Sequence, residues 1–96
     1  MRLSKLEIST IKDAIQDKDA KAKIHLFGSR TDDSKRGGDI DLLVISDVLE
    51  DDDKWEILDT LYSKIGEQKI DILITDKTNI QKEPFLKIAY DQGIEL

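Results

Sequence analysis

"LFGSRTDDSKRGGDIDLLVIS", residues 26–46, is the stretch whose reading decides the fold. It leaves an apolar end at Leu26 and Phe27, crosses Gly28-Ser29-Arg30 and a polar, glycine-containing segment, and enters an apolar run from Ile40 to Ile45 behind Asp39 and Asp41. An apolar run of strand length with almost no polar interruption reads as a strand covered on both faces. Lys23–Phe27, ended by Gly28, reads as the strand before it. Residues two apart in a strand share a face, so Asp39 and Asp41 project their carboxylates side by side at the mouth of the second strand.

Working outward, Leu3, Leu6, Ile11, Ala14 and Ile15 recur at helical spacing and predict an amphipathic helix from Leu3 to about Asp17. After the second strand, the acidic run Glu50 to Asp53 leads into Trp55, Leu58, Leu61, Tyr62 and Ile65, which predict a helix from about Asp53 to Ile65 closed by Gly66. The acids stand at the positive end of that helix. "KIDILIT" predicts a third strand, and Pro84 with Phe85, Ile88 and Ala89 a last short helix ending at Gly93. There is no repeat, low-complexity tract or linker, so residues 1–96 read as one α/β (α+β) domain.

Ninety-six residues suffice for one modest core, not for a catalytic domain with a separate substrate domain. The absence of cysteine excludes a disulfide framework and thiolate metal sites, and the N-terminus "MRLSKLEIST" lacks the apolar core of a signal peptide. A cytoplasmic protein without a membrane span is expected. With 21 acidic against 15 basic residues the net charge is −6, which argues against tight sequence-independent nucleic-acid binding and favours a basic partner or a metal-bound anion.

An Asp-x-Asp alone is a common accident in a chain with 21 acidic residues. Its neighbour changes its meaning. Gly28 permits a tight turn with close backbone approach, and Ser29 is a good N-cap, so a helical turn there would aim free N–H groups at an anion. A crossover helix over residues 53–65 would make the second and third strands parallel neighbours and bring Asp71 beside Asp39 and Asp41. Carboxylates this crowded resist joint ionisation unless a cation lies among them, and hard oxygens without His or Cys favour Mg²⁺ or Mn²⁺. Three carboxylates facing a phosphate-binding turn suit metal-assisted phosphoryl or nucleotidyl transfer.

Gly28-Ser29, nine intervening residues, Asp39-x-Asp41 in an apolar strand and Asp71 in the next resemble the minimal nucleotidyltransferase domain of the DNA polymerase β superfamily. The ending "AYDQGIEL" is similar to the short helix and final extended segment of its small members. The resemblance implies a small mixed sheet with helices packed against it. It implies that Gly28 and Ser29 hold the triphosphate of ATP; Arg30, an arginine in the same loop, is on its own chemistry either a further positive contact or a solvated surface residue. It also implies that Asp39 and Asp41 bind two Mg²⁺ ions and that Asp71 completes one ion's shell and assists the attacking hydroxyl. A chain this short resembles the antitoxin half of HEPN/MNT toxin–antitoxin pairs, in which a minimal nucleotidyltransferase restrains a helical HEPN ribonuclease, in some pairs by transferring AMP to a tyrosine. The leading expectation is such a protein AMP-transferase, assembled with its HEPN-type partner. A non-catalytic module that masks the partner is the alternative, and a small-molecule transferase whose acceptor sits on another subunit is a third.

The remaining residues read more plainly. His25 is a strand residue without a second ligand, Trp55, Tyr62 and Tyr90 at helical spacing are expected in the core, and Arg36 is expected at the surface.

Overall fold

The computed structural model describes residues 3–31, 39–66 and 68–96, apart from the side chain of Ser29. Helix α1 spans Lys5–Gln16. Its start is fixed by a capping box: the Ser4 hydroxyl accepts from Glu7 N–H and the Glu7 carboxylate accepts from Ser4 N–H. Strand β1 covers Lys23–Phe27 and β2 covers Ile40–Ile45, with a short 3₁₀ turn, Gly28–Thr31, directly after β1. Helix α2, Asp53–Ile65, crosses from β2 to β3, Ile70–Thr75. Helices α3, Lys77–Lys82, and α4, Pro84–Gln92, follow, and β4, Ile94–Glu95, closes the chain.

The sheet order is β3-β2-β1-β4. Strands β2 and β3 run parallel, and β1 is antiparallel to both β2 and β4, so the sheet is mixed. The two faces are divided by the period-2 alternation of the strands. Ile24, Leu26, Ile40, Leu42, Val44, Ile70 and Ile72 pack under α1 and α2, while Leu43 and Ile45 pack under α3 and α4. That explains why β2 is apolar at successive positions: it is the central strand with helices on both sides. Ser46 ends it, donating to Asp19 Oδ2 at 2.5 Å and accepting from the N–H groups of Val48 and Leu49, both at 3.0 Å.

Helix α3 has no counterpart in the sequence reading. Its N-cap, Asp76, accepts from Asn79 N–H at 2.8 Å, a local signal obscured by the mainly polar "KTNIQK". The aromatic residues depart from expectation more seriously. Trp55 is 61% exposed, Tyr62 36% and Tyr90 43%, so none of the three is a core residue. The inner stripe of α2 is made by Ile57, Leu58 and Leu61, with Ile65 partly buried against the same core, leaving Trp55 and Tyr62 on its flank. Arg36, Gly37 and Gly38 lie outside the described residues.

His25 is buried in β1 with its ring centroid 4.9 Å from that of Tyr90, and among the described residues its Nδ1 has no hydrogen-bond partner. Burial holds its pKa below the usual histidine value, against a smaller upward pull from Glu95; Lys23 adds to the depression. The folded protein therefore disfavours a proton that the unfolded chain accepts near pH 6.5. Its contribution to stability is present above that pH and is lost as pH falls from about 6.5 toward the depressed folded value, by at most about 1.4 kcal/mol per pH unit. Urea melts of the native chain and of His25→Phe between pH 7.5 and 5.5 should diverge, with only the native chain showing this loss. Parallel pH dependences would refute the assignment.

Candidate active site

The site is assembled by strand register. Phe27 lies opposite Asp41 in the antiparallel pair, and Asp41 lies beside Asp71 in the parallel pair. The residue after Phe27 thus reaches over Asp41, and that residue is Gly28, with φ +76°. A Cβ at position 28 would overlap Asp41 Oδ2 and stand 3.2 Å from its Cγ. Glycine is needed there twice, for the left-handed backbone and for the room the carboxylate occupies. The turn is closed by Thr31 Oγ1 donating to Gly28 C=O at 2.7 Å. It begins at Gly28, so Ser29 lies within the turn and does not cap it from outside. The Ser29 side chain lies outside the described residues.

Asp41 and Asp71 emerge on the sheet face that also carries Phe27 and the α3–α4 helices. Burial pushes the Asp41 carboxyl up from the usual range, the charges of Asp71 and Asp39 push it further, and a hydrogen bond to Asp71 adds to the rise; Lys69 offsets part of it. Among the described residues Lys69 is the cation that acts on the pair. Asp39, just ahead of β2, turns one carboxylate oxygen toward Lys69 Nζ at 3.5 Å. Among the described residues no three His, Cys, Asp or Glu side chains are already arranged to hold an ion. The charge of Asp39 nonetheless reaches Asp41 and adds to the rise of its pKa. The donor set fits a divalent cation: hard oxygens crowded by like charge, with Lys69, exposed, as the partial counter-ion among the described residues.

Arg30 is half-buried, and its guanidinium donates to Gln68 Oε1 at 3.4 Å. Gln68 donates in turn to Glu7 Oε2 at 2.9 Å and to Ile65 C=O at 3.2 Å. Burial pushes the Glu7 carboxyl up, but hydrogen bonds from Ser4 and Gln68 and the charge of Arg30 outweigh it and hold the pKa below the usual range. This network ties the turn after β1 to the start of α1 and to the α2–β3 connection.

Beside the carboxylates runs a cavity of about 550 Å³, lined by Asp41 and Asp71 together with Phe27, Trp55, Tyr62 and Phe85. The sequence reading missed these aromatic walls. A signal for them exists in α2, which carries more large apolar residues than one buried stripe uses. Phe85 is 60% exposed and meets Phe27 edge-on, ring centroids 6.2 Å apart.

Among the described residues no helix is long and apolar enough to cross a membrane. No curated protein was found to match the chain. A family model for the nucleotidyltransferase domain matches residues 8–92, a span that contains the turn at Gly28, Asp39, Asp41 and Asp71. The chain therefore belongs to the nucleotidyltransferase domain family.

Proposed function

We propose that this nucleotidyltransferase moves AMP from ATP to a hydroxyl of a partner protein, and that the partner is a helical HEPN-type ribonuclease toxin restrained by the modification. Family membership supports nucleotidyl transfer as the general chemistry. The observation that carries the reading is the register of Asp41 and Asp71 in neighbouring parallel strands, with Gly28 seated over Asp41. Asp39, Asp41 and Asp71 would hold Mg²⁺, which supplies the positive charge that a triphosphate and this acid cluster both need.

The chain's own residues have distinct parts. The turn at Gly28–Thr31 brings backbone close to the phosphates and orients the departing pyrophosphate. Arg30, fixed through Gln68, adds positive charge at that turn. The acceptor oxygen forms its bond to the α-phosphorus as the bond from that phosphorus to the β-bridging oxygen breaks. Asp71, on the side away from the turn, receives the hydroxyl proton, and pyrophosphate leaves with the electron pair. A net charge of −6 favours encounter with a basic, RNA-binding partner through long-range attraction that weakens with salt.

The test uses ATP labelled at the α-phosphate, Mg²⁺ and the protein encoded next to this chain. Label is expected on a tyrosine of that partner and negligible label with this chain alone. A partner that is fully restrained while mass spectrometry finds no nucleotide on it would replace transfer with masking.

A further inference from the structure

We propose that the groove beside Asp71 is a docking site for an extended segment of the acceptor protein, taken up as an added strand on the free edge of β3, with Trp55 and Phe85 gripping its side chains. The inference deepens the reading above, since it rests on a protein acceptor.

The edge itself is the first observation. Strand β3 is the outermost of the sheet, and among the described residues nothing pairs with its outer side. Lys69 C=O accepts from Ile40 N–H at 2.9 Å and Thr75 C=O accepts from Ser46 N–H at 2.8 Å. In a parallel ladder residues alternate between the two sides, so Lys69, Asp71, Leu73 and Thr75 face β2 while Ile70, Ile72 and Ile74 direct N–H and C=O outward. Such an edge is ordinarily blunted by charged residues, proline or a bulge. "IDILIT" has no proline, its pairing with β2 runs in register without a bulge, and its one charge, Asp71, belongs to the acid pair of the site.

The shape of the cavity is the second. Consecutive residues Ile70, Asp71, Ile72 and Leu73 all line it, so it runs along the strand edge and opens to both faces of the sheet. Trp55 and Tyr62 wall the side of α2, and Phe27 and Phe85 the side of α4. Side chains of an added strand alternate in the same way. One set would meet Trp55 and Tyr62. The other would emerge beside Asp71, which is where a hydroxyl must stand to be the acceptor.

Charge narrows the occupant. Among the described residues the groove carries two lysines, Lys54 with its ammonium 5.2 Å from the centre of the Trp55 ring and Lys69 paired with Asp39, and two acids, Asp41 and Asp71. Lys54, which has no acidic partner among the described residues, complements an acidic residue next to the hydroxyl on the Trp55 side. The expected segment is therefore extended, carries a hydroxyl residue among β-forming apolar ones, and has an acidic neighbour. A nucleobase would use the rings but leave the outward amides of β3 idle.

The test pans a displayed library of random twelve-residue peptides on the intact chain without ATP. Enrichment is expected for sequences of the kind described. The capture should fall at least tenfold in Ile74→Pro, which removes an outward N–H without breaking a bond to β2, and remain in Ile74→Val. It should fall similarly in Trp55→Ala and in Phe85→Ala, whose exposed rings can be removed without opening the core. Melting curves establish that each variant is folded, and the two alanine variants decide if Ile74→Pro is not. No enrichment, or enrichment that survives both alanine variants, would overturn the proposal. So would a Trp55→Ala chain that loses ATP binding and keeps peptide capture, since the groove would then seat the base. Transfer does not enter these readouts. Selected peptides that bind at the edge beside a partner that never acquires nucleotide would sink AMP transfer and leave the docking site, whereas a labelled partner with no capture at the edge would do the reverse.

Discussion

Asp41→Asn is expected to abolish transfer and to make the protein more stable. The carboxylate of Asp41 is partly buried, sits beside that of Asp71 and feels that of Asp39, so its ionised form is disfavoured in the folded protein. With its pKa raised, folding loses stability as pH rises from the ordinary carboxylate range through the raised value, and at neutral pH the cost is fully present. Asparagine has the same shape and carries no charge, so the melting temperature at pH 7 should rise by a few degrees. The same change removes a negative oxygen from the one place where the acid cluster and a phosphate could share a cation. Losing one such electrostatic contact costs about a hundredfold or more in rate. Opposite signs in the two assays are the signature. A variant that loses both stability and activity would indicate that Asp41 supports the fold instead.

Gly28→Ala should be far more harmful than its size suggests. At φ +76° an alanine is strained by about 1–3 kcal/mol, and its Cβ also overlaps the Asp41 carboxylate, which must move aside. Gly66, at the end of α2, provides the comparison: its φ is +84°, yet a Cβ there would meet nothing within 4 Å. Gly66→Ala carries strain alone. Calorimetric melting and transfer assays of the two variants should therefore separate. Both lose stability, Gly28→Ala more, and only Gly28→Ala displaces Asp41 and loses at least about tenfold in activity. Equal activity in the two would mean that the close approach of Gly28 to Asp41 has no part in the chemistry.

The strands that carry the site were legible because their signals are local and strong. Lys23–Phe27 and Ile40–Ile45 were bounded correctly by a terminating glycine and a preceding aspartate, and "KIDILIT" placed β3 to within one residue. The parallel pairing of β2 with β3 followed from the helix between them, and it puts Asp41 beside Asp71. What could not be read is what depends on which flank of a helix meets the sheet. Trp55 and Tyr62 share the apolar character of Leu58 and Leu61, and period alone cannot say that the sheet ends before it covers them. The position of Asp39 was equally hidden. It pairs with Lys69, thirty residues away in the chain, a contact that exists only once β3 lies along β2. Helix α3 was lost for the opposite reason: six mainly polar residues with a single buried isoleucine leave almost no apolar pattern.

The claim on which the rest stands is that Asp39, Asp41 and Asp71 form, with the turn at Gly28, one site for a metal-bound nucleoside triphosphate. The most direct measurement is the melting temperature in ATP with Mg²⁺ or Mn²⁺, in ATP with a chelator, and in metal alone, for the native chain and for the Asp39→Asn, Asp41→Asn double variant. At about a hundredfold excess over Kd a ligand that binds only the folded state stabilises it by about 2.7 kcal/mol, which in a domain of this size is roughly 10 °C or more. The native chain should show that rise with ATP and metal together and only a small one with either alone, and the double variant should show none while remaining folded. A native melting temperature indifferent to ATP and metal, or an equal rise in the double variant, would contradict the assignment.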